Sequence, residues 1–258
     1  MNAPATPHVT AIFRYPIKGM SAEPLGRIDL EPGAGVPLDR CLALALADSP
    51  FDPAHPVWLR KTHFLMLMRD ERLATLNARY RHDERRIEIA RNGQALVEAD
   101  LETPEGREEL ETFFETYMDL AGRPRLAEAR GHIFTDDPEP LVSLLNLETV
   151  RAVEAAIGRP VDPARFRANL HLEGLPAWQE LDRVGERIRV GSAGFEVAKR
   201  IDRCAATNVD PGTAARDLNL PADLRRHFGH IDCGVLLRVV EAGSVGIGDA
   251  LGPAGARG

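Results

Sequence analysis

Two short polar motifs in the second half of the chain carry the residue types best suited to chemistry. The first is residues 165–170 (RFRANL), and the second is residues 202–210 (DRCAATNVD). Together they provide guanidinium groups, an amide and one thiol, Cys204, which lies beside basic residues. Guanidinium groups bind phosphate in a bidentate manner, and a thiolate is a ligand for soft metals. The combination predicts a site for a large anionic ligand that also needs a sulfur donor.

These motifs resemble the MOSC domain, the molybdenum-cofactor-binding module named after the C-terminal part of molybdenum cofactor sulfurases. Further segments match in the family's order: residues 15–18 (YPIK), 38–40 (LDR), 232–235 (DCGV) and 245–249 (VGIGD). The chain is similar to MOSC proteins of the bacterial and mitochondrial amidoxime-reducing type. The resemblance implies a β-rich α+β fold, with a MOSC β-barrel at residues 130–253 preceded by a smaller α/β MOSC N-terminal domain at residues 8–122.

The resemblance also implies a site for the molybdenum cofactor, a pterin dithiolene with a terminal phosphate and a molybdenum centre. Cys204 would be the metal ligand and the catalytic residue, and Lys18 would meet the phosphate. Arg167 would grip phosphate or pterin carbonyls, and Asn169, two residues on and therefore on the same strand face, would bind the pterin edge. The cofactor-binding positions carried over are Lys18, Gly19, Arg40, Ser143, Asn146, Arg167, Asn169 and Arg203.

Four positions depart from the family pattern: Gly19, Met20, Asn146 and Cys233, the last of which replaces a residue that is commonly aromatic and is interpreted as packing. The usual Lys-Ser-Cys is here residues 18–20 (KGM), so a hydroxyl contact is lost and the backbone N–H of Gly19 would replace it. Asn146 replaces the second serine of a Ser-x-x-Ser-Leu segment and still suits a helix N-cap. Structural roles compete with each assignment: Cys204 could be a small buried hydrophobe, Lys18 a solvated side chain, and Arg40 a simple partner of Asp39.

The residues around Cys204 predict how its sulfur is activated. Lys199, Arg200 and Arg203 lie close in sequence and would favour the thiolate, which is the form that binds metals. Regular strand alternation would put Arg200, Asp202 and Cys204 on one face, with Lys199 and Arg203 on the other.

Hydrophobic periodicity and turn signals predict the elements that position these residues. Predicted strands cover residues 12–15, 42–47, 170–173 and 235–240, and predicted hairpins pair residues 87–89 with 95–97 and 187–190 with 195–198. Asn92 and Gly93 suit the tight turn of the first hairpin. Predicted helices run from the Thr103 cap to the breakers Gly122 and Pro124, from the Asn146 cap over residues 147–157, and over residues 221–228. Residues 121–140 are the predicted domain boundary.

Bulk properties restrict the class of ligand and the compartment. The net charge is −7, which argues against broad binding to nucleic acid or anionic membranes, so an anionic ligand needs a local basic pocket. The three cysteines form no CxxC pair, which argues against a disulfide scaffold and favours a reducing compartment. No apolar run approaches the ~18 residues of a membrane span, and no signal peptide is recognised, so a cytoplasmic location is predicted. A zinc site is a minor alternative for the cluster His227, His230, Asp232 and Cys233.

Three functions are consistent with these residues. The leading hypothesis is an oxidoreductase that binds the molybdenum cofactor and reduces N-hydroxylated or N-oxide compounds, with electrons from a separate reductase or ferredoxin because no four-cysteine cluster motif is present. The alternative is a carrier of sulfur, as a persulfide on Cys204 supplied by a cysteine desulfurase, or of the cofactor itself. The third is a degenerate fold used only for protein contacts. Pyridoxal phosphate binding is not supported by these residues.

Overall fold

The computed structural model describes residues 6–253 and shows a strand-rich α+β fold. Its strands are β1 His8–Arg14, β2 Glu23–Leu25, β3 Arg27–Leu30, β4 Ala43–Ala45, β5 Asn77–Arg81, β6 Arg86–Arg91, β7 Gln94–Asp100, β8 Arg125–Ala127, β9 Val142–Asn146, β10 Leu170–Glu173, β11 Arg187–Val190, β12 Ala193–Asp202, β13 Asp232–Glu241, β14 Gly243–Gly246 and β15 Leu251–Pro253. Its α-helices are α1 Pro104–Tyr117, α2 Leu147–Ile157, α3 Gln179–Asp182 and α4 Leu220–Phe228. Within the described residues, no helix has the length and apolar character needed to cross a membrane.

An eight-stranded sheet, curled into a half-barrel, dominates the molecule. Its strand order is β15-β11-β12-β13-β9-β10-β1-β2, and each neighbouring pair is antiparallel except β9 and β10. Val9, Leu144, Leu172, Phe195 and Leu237 are among the fully buried side chains on its concave core. The predicted β-rich α+β fold is confirmed. The sheet includes β1 and β2 from the N-terminal part of the chain, and the division into residues 8–122 and 130–253 stays a prediction.

A second core lies under the sheet β5-β6-β7 and helix α1. The predicted hairpin is present, because Asn92 (φ 51°) and Gly93 (φ 77°) both adopt the left-handed conformation that its two-residue turn requires. The Thr103 hydroxyl caps α1 by accepting a hydrogen bond from Gly106 N at 3.1 Å. The predicted end of this helix is wrong: α1 stops at Tyr117, since Asp119 already has φ 51°, well before the breakers at 122 and 124.

Helix α2 has the predicted bounds, since local capping signals define both of its ends. The Asn146 side chain accepts a hydrogen bond from Glu148 N at 3.1 Å, and Gly158 closes the helix with φ 69°. The predicted boundary segment, residues 121–140, contains β8, which pairs with the buried strand β4. It also carries Phe134 into a cluster with Phe51 and Phe64, so this segment is packed against the rest of the chain.

Candidate functional site

A cavity of about 540 Å³ opens where loops from both halves of the chain meet the end of β12. This volume is in the range of small-molecule and cofactor sites. Most of its lining comes from five stretches of the chain: residues 18–19, 58–68, 135–143, 165–169 and 199–207. The last of these includes the end of β12. The lining includes nine basic residues (Lys18, Arg40, Arg60, Lys61, Arg165, Arg167, Lys199, Arg200 and Arg203) and four acidic ones (Asp136, Asp137, Glu139 and Asp202).

This basic excess is notable because the whole chain has a net charge of −7. The cavity is therefore a local positive region in an acidic protein. The net charge had predicted that an anionic ligand would need such a local basic pocket. Within residues 6–253, several of its cations already pair with carboxylates: Arg165 with Asp210 and Asp217, and Lys199 with Asp137. The ability to bind a further anion thus depends on which basic groups still have donors to offer.

Two basic residues of the lining have such a donor in the described part of the chain: Arg165, at its buried Nε, and Arg167. One of the amino groups of Arg167, Nη1, donates to Met20 O at 2.6 Å, and its guanidinium carbon lies 4.3 Å from the centroid of the Tyr15 ring. The other amino nitrogen, Nη2, is buried and has no hydrogen-bond partner in the described part of the chain. Burial lowers the pKa of Arg167 to about 10, and nearby Arg40 adds to this effect while Tyr15 opposes it. A buried cation with an unpaired donor is costly, and an anion in the cavity would relieve that cost.

The backbone at Arg167 differs from the strand predicted for it. Arg167 ends a 3₁₀ turn (Pro163–Phe166) with φ 53°, and β10 begins only at Leu170. The prediction that Arg167 and Asn169 share a strand face is therefore wrong, because the left-handed residue rotates the chain between them. This turn directs the Arg167 side chain towards Tyr15 and Met20, both of which lie near the start of the chain.

Arg40 supports the same side of the cavity. It pairs with Asp39, its guanidinium carbon lies 4.7 Å from the centroid of the Tyr15 ring, and its Nη2 donates to Arg167 O at 3.1 Å. Burial opposes the charged form of Arg40, but Asp39 outweighs burial and the pKa is raised. The pairing with Asp39 that was considered for this residue is present. It holds the Arg40 side chain in place beside Arg167, to whose carbonyl Arg40 donates.

Four side chains form an ionic chain across the cavity. Lys18 Nζ donates to Asp136 Oδ1 at 2.5 Å, and Lys61 Nζ donates to the other oxygen, Oδ2, at 3.1 Å. Lys61 Nζ also contacts Cys204 Sγ at 3.3 Å. Burial opposes the charged form of Lys61, but Asp136 and Cys204 together outweigh it and raise the pKa of Lys61. An ammonium at this distance can compensate negative charge on the sulfur.

Lys18 is more buried than the sequence predicted. It is 6% exposed, and its ammonium also donates to Phe134 O at 2.8 Å. Burial lowers the pKa of Lys18 more than Asp136 raises it. The next residue, Gly19, has φ 82° and lines the cavity, and its N–H makes no hydrogen bond within residues 6–253. The predicted backbone donor at this position is thus available.

Cys204 lies at the point where the predicted strand alternation fails. Strand β12 has register shifts on either side of Lys199 and ends at Asp202, so Cys204 precedes a 3₁₀ turn (Ala205–Asn208) rather than continuing the strand. Its side chain is partly exposed and lines the cavity. The basic neighbours predicted from sequence are engaged elsewhere: Lys199 pairs with Asp137, and Arg200 Nη1 and Nη2 lie 3.7 Å from Asp232 and 3.9 Å from Asp182.

Arg203 lines the cavity but uses its donors within the protein. Its Nε donates to Cys233 O at 2.7 Å, Nη2 also donates to Cys233 O, and Nη1 donates to Phe166 O at 2.9 Å. The guanidinium carbon lies 5.1 Å from the centroid of the Phe166 ring. These contacts join the end of β12 to β13 and to the turn before Arg167, so Arg203 holds the cavity wall together.

Asn169 and Ser143 also connect elements around the cavity. Asn169 Oδ1 accepts from Ser143 N at 3.1 Å and from Ser143 Oγ at 2.8 Å, while its Nδ2 donates to Phe13 O at 3.1 Å. These bonds tie β9 to β1 and leave Asn169 with one amide hydrogen to offer. Asn146 does not line the cavity: it is fully buried, caps α2 and donates to Glu180 Oε2 at 2.9 Å.

Two functional candidates were missed by sequence reasoning, Lys61 and Asp136. Lys61 begins a 3₁₀ turn (Lys61–His63) and Asp136 lies in a loop, neither of which carries a motif. Their contacts cross 75 to 143 positions of sequence. No spacing rule connects residues so far apart. The zinc cluster considered for the C-terminal part does not assemble, since no group of three His, Cys, Asp or Glu side chains in residues 6–253 has a geometry that could hold a metal.

The second half of the chain, which supplies most of the cavity lining, matches a known family. Residues 131–252 match the family model described as MOSC domain. This part of the chain is a MOSC domain. MOSC domains are generally linked to binding of the molybdenum cofactor, and this one contains Ser143, Arg167, Asn169, Arg203 and Cys204.

Solved structures offer more distant similarities. The YuaD protein from Bacillus subtilis is 16% identical with a TM-score of 0.45, over 96% of this chain and 94% of that one. YiiM from Geobacillus stearothermophilus is 22% identical with a TM-score of 0.35, over 44% of this chain and 54% of that one. No curated protein matches the sequence significantly.

The residues of the cavity fit a molybdenum cofactor. The terminal phosphate needs cations, and the cavity offers the unpaired Nη2 of Arg167 together with Lys18 and Lys61. The metal needs a soft ligand, and Cys204 Sγ is accessible from the cavity. The pterin needs hydrogen-bond partners, which the Gly19 N–H and the remaining Asn169 amide hydrogen can supply.

Proposed function

We propose that the chain binds the molybdenum cofactor in this cavity and acts as an oxidoreductase on N-hydroxylated or N-oxide compounds. The observation that carries the proposal is the buried, unpaired Nη2 of Arg167 in a basic cavity that also contains an accessible thiol. Arg203, in contrast, uses all three of its guanidinium nitrogens to donate to backbone carbonyls. The MOSC domain at residues 131–252 supports this choice of ligand.

Each polar group of the cavity has a role in this proposal. Arg167 and Lys18 would bind the phosphate, and Arg40 would keep Arg167 in place through the bond to its carbonyl. Cys204 would be the protein ligand of the metal, with Lys61 compensating charge on the sulfur. The bound cofactor would supply oxygen-atom transfer chemistry coupled to two electrons.

The chain's own residues would provide binding, orientation and a proton source. Reduction of an N–OH group consumes two electrons and two protons, and the oxygen leaves as water. Lys61 is the candidate proton donor nearest the sulfur, because its ammonium lies 3.3 Å from Cys204 Sγ. The electrons would come from a separate reductase or ferredoxin, which remains part of the proposal.

The test is metal and pterin analysis of protein purified from a host that makes the cofactor. We expect near-stoichiometric molybdenum and pterin in the native protein, and loss of metal in Cys204→Ala. Cys41→Ala is the matched control, since Cys41 lies outside this cavity and donates to Pro16 O at 3.7 Å. Equal metal content in both variants, or no molybdenum and no pterin in the native protein, would contradict the proposal.

The carrier function makes a different prediction at the same residue. Cys204 is partly exposed, so a desulfurase could transfer a sulfane sulfur to its thiolate and form a persulfide. Intact-mass analysis after incubation with a cysteine desulfurase would then show one added sulfur that is absent from Cys204→Ala. That result in a protein without molybdenum would favour the carrier over the oxidoreductase.

A further inference from the structure

A short segment is fastened across the cavity by side chains from other parts of the chain. We call residues 134–137 the strap. Lys18 donates to Phe134 O, Trp58 Nε1 donates to Thr135 O at 3.3 Å, and Lys199 pairs with Asp137. Three of the strap's residues, Thr135, Asp136 and Asp137, line the cavity. The strap therefore brings its own carboxylates among the cavity's cations.

Asp136 occupies the position that an incoming anion would need. Its two oxygens accept from Lys18 and Lys61, so both ammonium groups are held by one carboxylate. The Lys18 side chain is 7% exposed whereas that of Asp136 is 57% exposed, which places the carboxylate on the solvent side of the buried lysine. An anion that enters from solvent thus meets Asp136 before it can reach Lys18.

The charges favour exchange of this carboxylate for a stronger anion. Two ammonium groups face a single carboxylate, and the unpaired Nη2 of Arg167 belongs to the same cavity. A phosphate dianion carries more charge and more acceptor oxygens than one carboxylate. Both oxygens of Asp136 are used by Lys18 and Lys61, whereas a phosphate bound to these lysines keeps further oxygens for other donors of the cavity, such as Arg167 Nη2.

We propose that Asp136 is an internal competitor for the phosphate site, which holds Lys18 and Lys61 until a phosphate-bearing ligand displaces it. This inference rests on the proposed function only in taking the cavity as an anion site. The Asp136 side chain, which is 57% exposed, would turn towards solvent and leave its two lysine partners when the ligand binds, while the backbone of the strap stays fastened. Ligand affinity is then lower than the intrinsic affinity by the fraction of molecules in which Asp136 is displaced.

The test is titration of the native protein and of Asp136→Asn with inorganic phosphate by calorimetry at pH 7.5. The amide keeps the side-chain size but removes the competing charge, so we expect phosphate to bind about tenfold more tightly, as when the carboxylate holds the lysines about nine-tenths of the time. Asp137→Asn is the matched control, because it removes the same charge from the next residue and releases Lys199, but leaves Lys18 and Lys61 held by Asp136. We expect that control to change phosphate affinity by less than about threefold.

Two results would overturn the proposal. If Asp136→Asn binds phosphate no better than the native protein, the carboxylate orients the lysines and does not compete for them. If Asp137→Asn gains as much affinity as Asp136→Asn, the effect is general electrostatics. A further variant, Asp136→Asn with Lys18→Met, should lose most of the gain, because the freed partner is then missing.

The outcome is independent of the proposed enzyme activity. Phosphate affinity is measured without cofactor, and molybdenum content is measured on separate samples of native protein. A protein without molybdenum whose two asparagine variants still differ as expected would refute the proposed function and support the internal competitor. Stoichiometric molybdenum with no difference between the two variants would support the proposed function and refute the internal competitor.

Discussion

Two buried arginines in one cavity wall allow a sharp test of which of them serves a ligand. Within residues 6–253, Arg167 makes one hydrogen bond, to Met20 O, and has one buried donor without a partner. Arg203 has three hydrogen bonds, to the carbonyls of Cys233 and Phe166. Substitution by methionine removes the charge in each case and keeps much of the side-chain length. Arg203→Met should therefore lose more stability than Arg167→Met, whereas Arg167→Met should weaken phosphate binding.

For Arg167→Met, gains of stability offset most of the losses. The variant loses a charge-assisted hydrogen bond worth about 1.5–3 kcal/mol and a cation–π contact with Tyr15 worth about 0.5–1 kcal/mol. It also removes a buried unpaired donor, which costs the native protein about 1–3 kcal/mol. We expect the free energy of unfolding to fall by about 1 kcal/mol.

For Arg203→Met, the losses dominate. Two backbone carbonyls lose the donors that join the end of β12 to its neighbours, so we expect a loss of about 3 kcal/mol in the free energy of unfolding. Urea denaturation of the two variants beside the native protein measures this difference.

Loss of Arg167 should affect phosphate binding more than it affects stability. A hydrogen bond from a guanidinium to phosphate contributes about 1.5–3 kcal/mol, so Arg167→Met should weaken the binding of inorganic phosphate by about 10- to 100-fold. Calorimetric titration of the folded variant measures this loss. A variant that is as destabilised as Arg203→Met and still binds phosphate like the native protein would refute the reasoning, since Arg167 would then be a structural residue.

Two further predictions concern stability. Burial lowers the pKa of His171 to about 4, so the folded protein resists a proton that the unfolded chain accepts below about pH 6.5. Stability should be complete above pH 6.5 and fall by about 2 kcal/mol at pH 5. His171→Phe, which can keep the ring contact with Phe13, should flatten that pH dependence in urea denaturation, and an unchanged slope would contradict this. Gly234 has φ 82°, and a Cβ there would lie 2.5 Å from Leu144 O, so Gly234→Ala should lower the melting temperature, corresponding to a loss of about 2–3 kcal/mol. The control Gly26→Ala meets nothing within 4 Å and should change stability by less than about 1 kcal/mol, so equal losses would contradict the steric argument.

The sequence by itself determined the elements whose signals are local. The Asn146 and Gly158 caps gave α2 its bounds, and Asn92-Gly93 gave the hairpin of β6 and β7, because each signal depends on residues that are close in sequence. The presence of Cys204 in the cavity also followed from its motif. Where the chain departs from regular geometry, at Arg167 and at the end of β12, periodicity misplaced the faces.

Only the tertiary structure decided which charges are already satisfied. Arg203 and Arg167 look equivalent as sequence, yet the fold gives Arg203 three carbonyl acceptors and leaves Arg167 Nη2 with none in the described residues. Lys61 and Asp136 reach the cavity from two segments that are remote in sequence, and Asn146 lies outside the cavity, where it donates to Glu180. Pairing of buried charges depends on distances that the folded chain sets between remote segments, whereas sequence patterns report only on neighbours along the chain.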